Sequence, residues 1–281
     1  MLFKRALIAS AFAFAALPAL VATAQTPAAP TTPAAQPASG AAAAAKPAPP
    51  PKPVKATPEE RAEAERLDPL GRAAFWQREV NADPMDNDAR LKLAKALRAL
   101  GRYEEASEAA DQLLVIQPGN LEALLESARA KIENNQGFYA IEVAQRAAAQ
   151  APRDWRPVGL LAIALEESDR DSEALEAYQR ALSLAPDNPA TLSNLGMYYA
   201  GHGDAARAES LLRKAAAEPG AAAQERQNLA LVLGLEGKFD EAERLARQDL
   251  PPDQVRNNLA YLRAASDGAP PRTWDSLKAA Q

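Results

Sequence analysis

Asn194 and Asn228 lie thirty-four positions apart in this chain of 281 residues, and Asn258 sits in an Asn-Asn-Leu-Ala stretch that echoes Gln227-Asn228-Leu229-Ala230. A carboxamide carries two donors and an acceptor, so a column of them can hold a peptide backbone whatever side chains that peptide bears. The same groups can instead bond neighbouring helices within the fold, and the spacing alone leaves both uses open. Other residues that could do chemistry are few. His202 is the one histidine and stands in a Gly-His-Gly turn, which reads as a solvated loop rather than a catalyst. Glu104-Glu105 and Glu166-Glu167 are paired acids, read as surface charge. The chain has no cysteine, which leaves no thiolate, disulfide or Cys-ligated zinc. There is no nucleophile beside a base, no Gly-rich phosphate loop and no metal-ligand cluster. The expectation is therefore no catalytic residue, no cofactor and no metal: a protein that is not an enzyme.

The elements that position the asparagines follow a fixed step. Pro84, Pro118, Pro152 and Pro186 are each thirty-four residues apart. Small residues keep the same step at Ala94, Ala128, Ala162, Gly196 and Ala230, as do Ala106, Ala140, Ala174, Ala208 and Ala242. A proline ends a helix because it lacks an amide donor and clashes with the preceding turn. Alanine or glycine at a crossing lets helices approach closely. This period and these columns are the pattern of tetratricopeptide repeats (TPRs). The composition agrees, being rich in helix formers and poor in β-branched and aromatic residues. The predicted fold is all-α: a right-handed superhelical TPR solenoid of about five helix-hairpin repeats, with a leading half repeat and a C-terminal capping helix.

Five segments are expected. Residues 1–24 read as a signal peptide: Lys4 and Arg5, an apolar run from Ala6 to Leu20, then Ala22-Thr23-Ala24 as a cleavage site. The alternative is an uncleaved signal that anchors the chain in an inner membrane. Residues 25–57 are an Ala/Pro-rich stretch without an acid, expected to be a disordered tether. Residues 58–86 hold two leading helices. Thr57 caps the first, which is very polar and expected to pack lightly; Trp76 in the second covers the first full repeat. Residues 87–250 form the TPR array, with Gly101 ending one helix, Asn134, Asn135 and Gly137 making a turn, and Phe138 and Tyr139 opening the next helix. Residues 251–281 hold a capping helix with Val255, Leu259 and Leu262, then a tail where Trp274 either folds back on the cap or is exposed.

Charge separates at residue 57. All thirty-seven acidic residues lie beyond it, with twenty-seven of the thirty-two basic ones. An acidic repeat domain excludes nucleic acid as the partner, because phosphate binding requires a basic face.

In TPR geometry the first helix of every unit lines the concave wall. Counting along those helices places Lys95 and Arg98, then Leu125, Arg129 and Ile132, then Ile163, Met197 and Leu231 on it. With Asn194, Asn228 and Asn258, this wall suits a protein partner that presents an extended or helical peptide segment with apolar anchors. The stretches Arg226-Gln227-Asn228-Leu229-Ala230-Leu231-Val232-Leu233-Gly234, Gly237-Lys238-Phe239-Asp240-Glu241-Ala242-Glu243, Asp249-Leu250-Pro251 and Asn257-Asn258-Leu259-Ala260-Tyr261-Leu262-Arg263 resemble the C-terminal end of the TadD family, the TPR proteins of tight-adherence (Flp) pilus assembly. The resemblance covers about forty residues, with looser similarity over the preceding hundred. It implies a periplasmic accessory that helps assemble the outer-membrane secretin. TadD proteins commonly carry a lipid on a cysteine; this sequence departs from that and is expected to have no lipid anchor. The alternative reading is a general cell-envelope scaffold for peptidoglycan-associated machinery.

Overall fold

The computed structural model describes residues 55–266. The segments expected as signal peptide and most of the tether, and the tail with Trp274, lie outside the described residues. Thirteen helices and no strand are present among the described residues. Two leading helices are α1 (Pro58–Ala64) and α2 (Pro69–Ala82). Five hairpins follow: α3 (Asn87–Ala99) with α4 (Tyr103–Ile116), α5 (Leu121–Glu133) with α6 (Gly137–Gln150), α7 (Trp155–Glu167) with α8 (Asp171–Leu184), α9 (Pro189–Gly201) with α10 (Ala205–Ala217), and α11 (Ala223–Leu235) with α12 (Phe239–Ala246). The last helix is α13 (Pro252–Ser266). No helix among the described residues is long and apolar enough to cross a membrane.

Local chemistry sets the helix ends. Asp86, Asn120, Asp154 and Asn188 each precede a first helix and accept a backbone N–H of its first turn through the side chain. They satisfy donors that the helix start leaves unpaired. These caps form another thirty-four-residue column. At Ala222 the column lacks a side-chain acceptor, and Glu225 instead reaches back to the Ala222 N–H at 2.9 Å. Inside each hairpin the chain reverses through one left-handed residue. Gly101, Asn135, Asp169, Gly203 and Gly237 all have φ between 56° and 81°. Glycine takes this conformation without steric cost, and Asn and Asp tolerate it better than other side chains do.

The expected turn at Asn134–Gly137 is therefore corrected. Asn135 supplies the left-handed residue, while Gly137 is already the first residue of α6. Its glycine serves packing: a Cβ there would stand 2.5 Å from Glu167 Cβ and 3.0 Å from the Ala164 carbonyl.

The small-residue columns sit at the helix crossings. Ala94, Ala128, Ala162, Ala106, Ala140, Ala174 and Ala208 are fully buried. At Gly196 a Cβ would be 2.8 Å from Leu212 Cγ. Between the crossings, fully buried leucines such as Leu113, Leu124 and Leu212 stabilise the stack by roughly 2 kcal/mol each. Trp76 is buried against Leu93, Ala94 and Leu97, so it covers the first repeat as expected. At the other end Val255 and Leu259 of α13 close over Leu229 and Leu233. Each second helix packs on its own first helix and on the next one, and successive first helices touch along the stack. Second helices make no comparable contact with one another. The stack therefore curves towards the first helices.

The leading segment is held differently from the light packing expected of it. Only Ala64 of α1 is buried, but the Glu79 carboxylate of α2, itself fully buried, accepts from the Ala56 N–H at 3.0 Å and from Arg61 Nη2 at 2.7 Å. Arg61 also donates to Asp86, and Lys55 pairs with Asp83 and Asp86. Ion pairs, more than apolar contact, clip the start of the described chain to the array.

Candidate peptide-binding wall

The inner layer is built from α3, α5, α7, α9 and α11, and its character changes along the stack. The first half is charged and internally paired. Arg98 Nε donates to Glu126 at 2.5 Å and its Nη1 to Glu133 at 2.9 Å. Arg129 stands 3.6 Å from Glu126, Lys95 stands 3.7 Å from Glu122, and Arg156 bridges Glu122 and Asp154 at 3.0 and 2.6 Å. Burial pushes the Glu133 carboxyl above the usual range despite Arg98 beside it. The hydrogen bond from Arg156 holds Asp154 below it. Glu126 is buried in the wall, a position the sequence does not single out.

The second half has no ion pair between neighbouring first helices among the described residues; Arg226 of α11 pairs with Asp249 beyond α12 instead. Leu160 and Ile163 of α7 and Met197 of α9 are half-buried apolar side chains. Asn194 lies among these residues in sequence register, is half-buried, and makes no side-chain hydrogen bond among the described residues.

Several expected wall residues turn out to be interior. Leu125 is fully buried with Leu113, Leu124 and Val143; Ile132 is 2% exposed; Leu231 packs against Leu262. They fill the seams between neighbouring helices and offer a ligand almost no surface. Asn228 is buried too. Its Nδ2 donates to Ser193 Oγ across to α9 at 2.9 Å, and its Oδ1 accepts from Gln224 Nε2 at 2.9 Å. At this position the amide serves the stack. Asn258 is half-buried in α13 without a side-chain hydrogen bond among the described residues. Lys95, Arg98, Arg129, Ile163, Met197, Asn194 and Asn258 keep accessible surface.

The paired acids separate in role. Glu104 and Glu105 are exposed, as expected. Glu166 is not: it is buried and accepts a hydrogen bond from Tyr178 Oη at 2.7 Å. Burial, and then the charge of Glu166, push the Glu167 carboxyl up to about 7, against the opposing hydrogen bond from the Gly137 N–H. Both acids lie at the end of α7, where α6 and α8 cover them. His202 also departs from a freely solvated ring. It stacks on Tyr198 with centroids 4.0 Å apart, and its Nδ1 is 2.7 Å from the Tyr198 carbonyl. A carbonyl only accepts, so that nitrogen carries the proton and donates. Its Nε2 stands 3.4 Å from Asp171 Oδ1. The histidine closes the α9–α10 turn.

Two family models, each described as tetratricopeptide repeat, match residues 87–130 and 125–189. Residues 87–189 are tetratricopeptide repeats. The TPR register extends beyond residue 189 in the structure, as Gly203 and Gly237 in the left-handed column and Ala208 and Ala242 at the crossings show. A crystal structure of a thermophilic TPR protein from Thermus thermophilus is similar at 26% identity, with 63% of this chain and 98% of that one covered and a TM-score of 0.57. A TPR protein from Parabacteroides merdae is similar at 14% identity over 73% of this chain and 80% of that one, with a TM-score of 0.61. MamA from Desulfovibrio magneticus matches at 23% identity over 55% of this chain and 90% of its own, with a TM-score of 0.49. No curated protein matches the chain. The described residues thus form an all-α TPR solenoid, and TPR domains mediate protein–protein interaction.

Proposed function

We propose that this chain is a non-enzymatic periplasmic scaffold for assembly of a tight-adherence (Flp) pilus or a type II-like secretion apparatus, and that it acts by holding a peptide segment of the secretin or of a pilus component along its inner wall. The observation that carries the binding mode is the change along that wall. Where the charged half ends, Ile163 and Met197 leave apolar surface exposed and Asn194 keeps a carboxamide that the stack does not use. An apolar anchor of a segment gains by leaving water there, while a free carboxamide pairs with its backbone. The assignment to pilus assembly is supported by the resemblance over residues 226–263. Those residues fold as most of α11, α12 and most of α13, tied by Arg226 to Asp249 at 2.5 and 2.8 Å. The periplasmic location is supported by the Lys4-Arg5, Ala6–Leu20 and Ala22-Thr23-Ala24 pattern.

The test is capture from an envelope extract with the full chain as bait, beside a Met197→Glu variant. The expected result is co-purification of a secretin or pilus protein with the wild type and its loss with the variant. Retention of an unrelated envelope complex by both baits would overturn the assignment. N-terminal sequencing of the exported protein, expected to begin at Gln25, tests the location.

A further inference from the structure

Phe138 and Tyr139 are the anomaly of the outer surface. They are 72% and 65% exposed and sit edge-to-face with ring centroids 5.6 Å apart. At the same two positions the other second helices carry Glu104-Glu105, Ser172-Glu173, Ala206-Arg207 and Asp240-Glu241. Two adjacent exposed rings where every other repeat places small or charged residues have no packing role in this hairpin. The second helices on either side, α4 and α8, present acids in the same part of their length. Among them Glu104, Glu108 and Glu176 are exposed and form no ion pair among the described residues. An aromatic platform between two acidic rows fits a basic, proline-rich segment, because prolines pack on ring faces and lysines pair with the flanking carboxylates.

This chain contains such a segment. Lys46-Pro47-Ala48-Pro49-Pro50-Pro51-Lys52-Pro53 has five prolines, two lysines and no acid. A polyproline II helix repeats every three residues, so Lys46, Pro49 and Lys52 fall on one face. The lysines are then about 19 Å apart with Pro49 midway. Extended in this form, the segment sets Pro49 between two cations that can pair with the acids of α4 and α8 on either side of the rings. The attachment point also fits. Lys55 and Ala56 are pinned at the end of α2 by Asp83, Asp86 and Glu79. Lys52 is three and Lys46 nine residues before Lys55, about 9 and 28 Å in polyproline II form, so the segment can extend from that point across the outer face towards α6.

We propose that residues 46–53 dock in cis on the Phe138–Tyr139 platform. This goes beyond the inner-wall reading, since it uses the opposite face and a segment of the chain itself. Docking takes about eight residues out of the tether's length and hides the aromatic pair, so a partner that competes for either lengthens the tether.

The chain has no cysteine, so spin labels can be placed at will. Labels on Ala48→Cys and Gln145→Cys in the full chain are expected to give a narrow distance population of roughly 10–20 Å, since residue 145 lies two helical turns, about 11 Å, from the platform and the label arms add to that. That population is expected to vanish in Phe138→Ser/Tyr139→Ser and, separately, in Lys46→Glu/Lys52→Glu. Both ring side chains are exposed, and an unchanged thermal melt verifies folding. A broad distribution that neither pair of substitutions alters overturns the proposal. So does a short distance that disappears on tenfold dilution with unlabelled chain, which would place a second copy on the rings.

Discussion

Gly137 and Glu167 fit together only because one of them has no side chain. A Cβ at 137 would lie 2.6 Å from the Glu167 carboxylate and 2.5 Å from its Cβ, on a side where the Ala164 carbonyl blocks retreat. Gly137→Ala improves helix propensity slightly, but overpacking a tight contact costs about 1–3 kcal/mol. The variant is expected to melt a few degrees lower than the wild type. A melting temperature equal to or above wild type would show that the contact yields.

Glu167 also sets a pH dependence. Its folded pKa of about 7 lies above the ordinary carboxylate value of 4.5. The folded state therefore binds the proton more tightly than the unfolded chain. The resulting stability is fully present below pH 4.5 and is lost as pH rises through 7. Solvent reaches part of the group, which reduces the effect to on the order of 2 kcal/mol. Glu167→Gln is expected to flatten the stability profile between pH 5 and 7, and to make the protein more stable than wild type at pH 8. Denaturant melts across that range check the sign. A variant that keeps the wild-type slope places the titration elsewhere.

The repeat frame was legible because it is a backbone requirement. A left-handed residue at 101, 135, 169, 203 and 237, a side-chain cap before four of the five first helices and a small residue at each crossing recur every thirty-four positions whatever the surface does. Within that frame the depth of a given position was not legible. Leu125 and Ile163 are both apolar residues on first helices, yet Leu125 fills a seam and Ile163 keeps surface. What decides is the size of the facing side chains on two other helices, which periodicity does not encode. Glu166 was misread for the same reason. An acid at the end of α7 looks solvated until Tyr178, twelve residues on, is seen to donate to it. The asparagine column shows the limit most plainly, since Asn194 and Asn228 occupy equivalent positions and only Asn228 has Ser193 and Gln224 in reach.

The clip at the start of the described chain depends on one buried charge. Glu79 is fully buried and faces Arg61 and the Ala56 N–H. Glu79→Gln preserves shape but leaves Arg61 opposite a neutral amide and turns a donor towards donors. Breaking such a pair costs about 3 kcal/mol, felt by residues 55–64 more than by the array. Amide exchange in α1 is expected to accelerate while exchange in α7 and α8 stays unchanged. Mild acid should leave the clip closed. Burial would raise the Asp86 carboxyl, but hydrogen bonds from Arg61, the Ala89 N–H and Lys55 outweigh it and hold the group well below the carboxylate range. Its contribution is present above the unfolded value of 3.8 and is lost only as pH falls through the depressed folded one. Opening of α1 at pH 5 would contradict this.

The inner wall is tested by separating two asparagines that the sequence makes equivalent. Asn228→Ala removes a donor from Ser193 and an acceptor from Gln224 in a buried setting, which costs about 1–2 kcal/mol of stability. Asn194→Ala removes no bond within the described stack and is expected to leave the melting temperature unchanged. For a segment held on the wall the order reverses. Loss of one peptide-backbone hydrogen bond at Asn194 lowers affinity by roughly five- to tenfold, and Asn228→Ala weakens binding only as far as it loosens α9 against α11. Titration of the captured secretin or pilus segment into each variant, beside a thermal melt, reads both quantities. If Asn194→Ala binds as tightly as wild type, the carboxamide does not grip the peptide, and Ile163 and Met197 must carry the contact through burial alone.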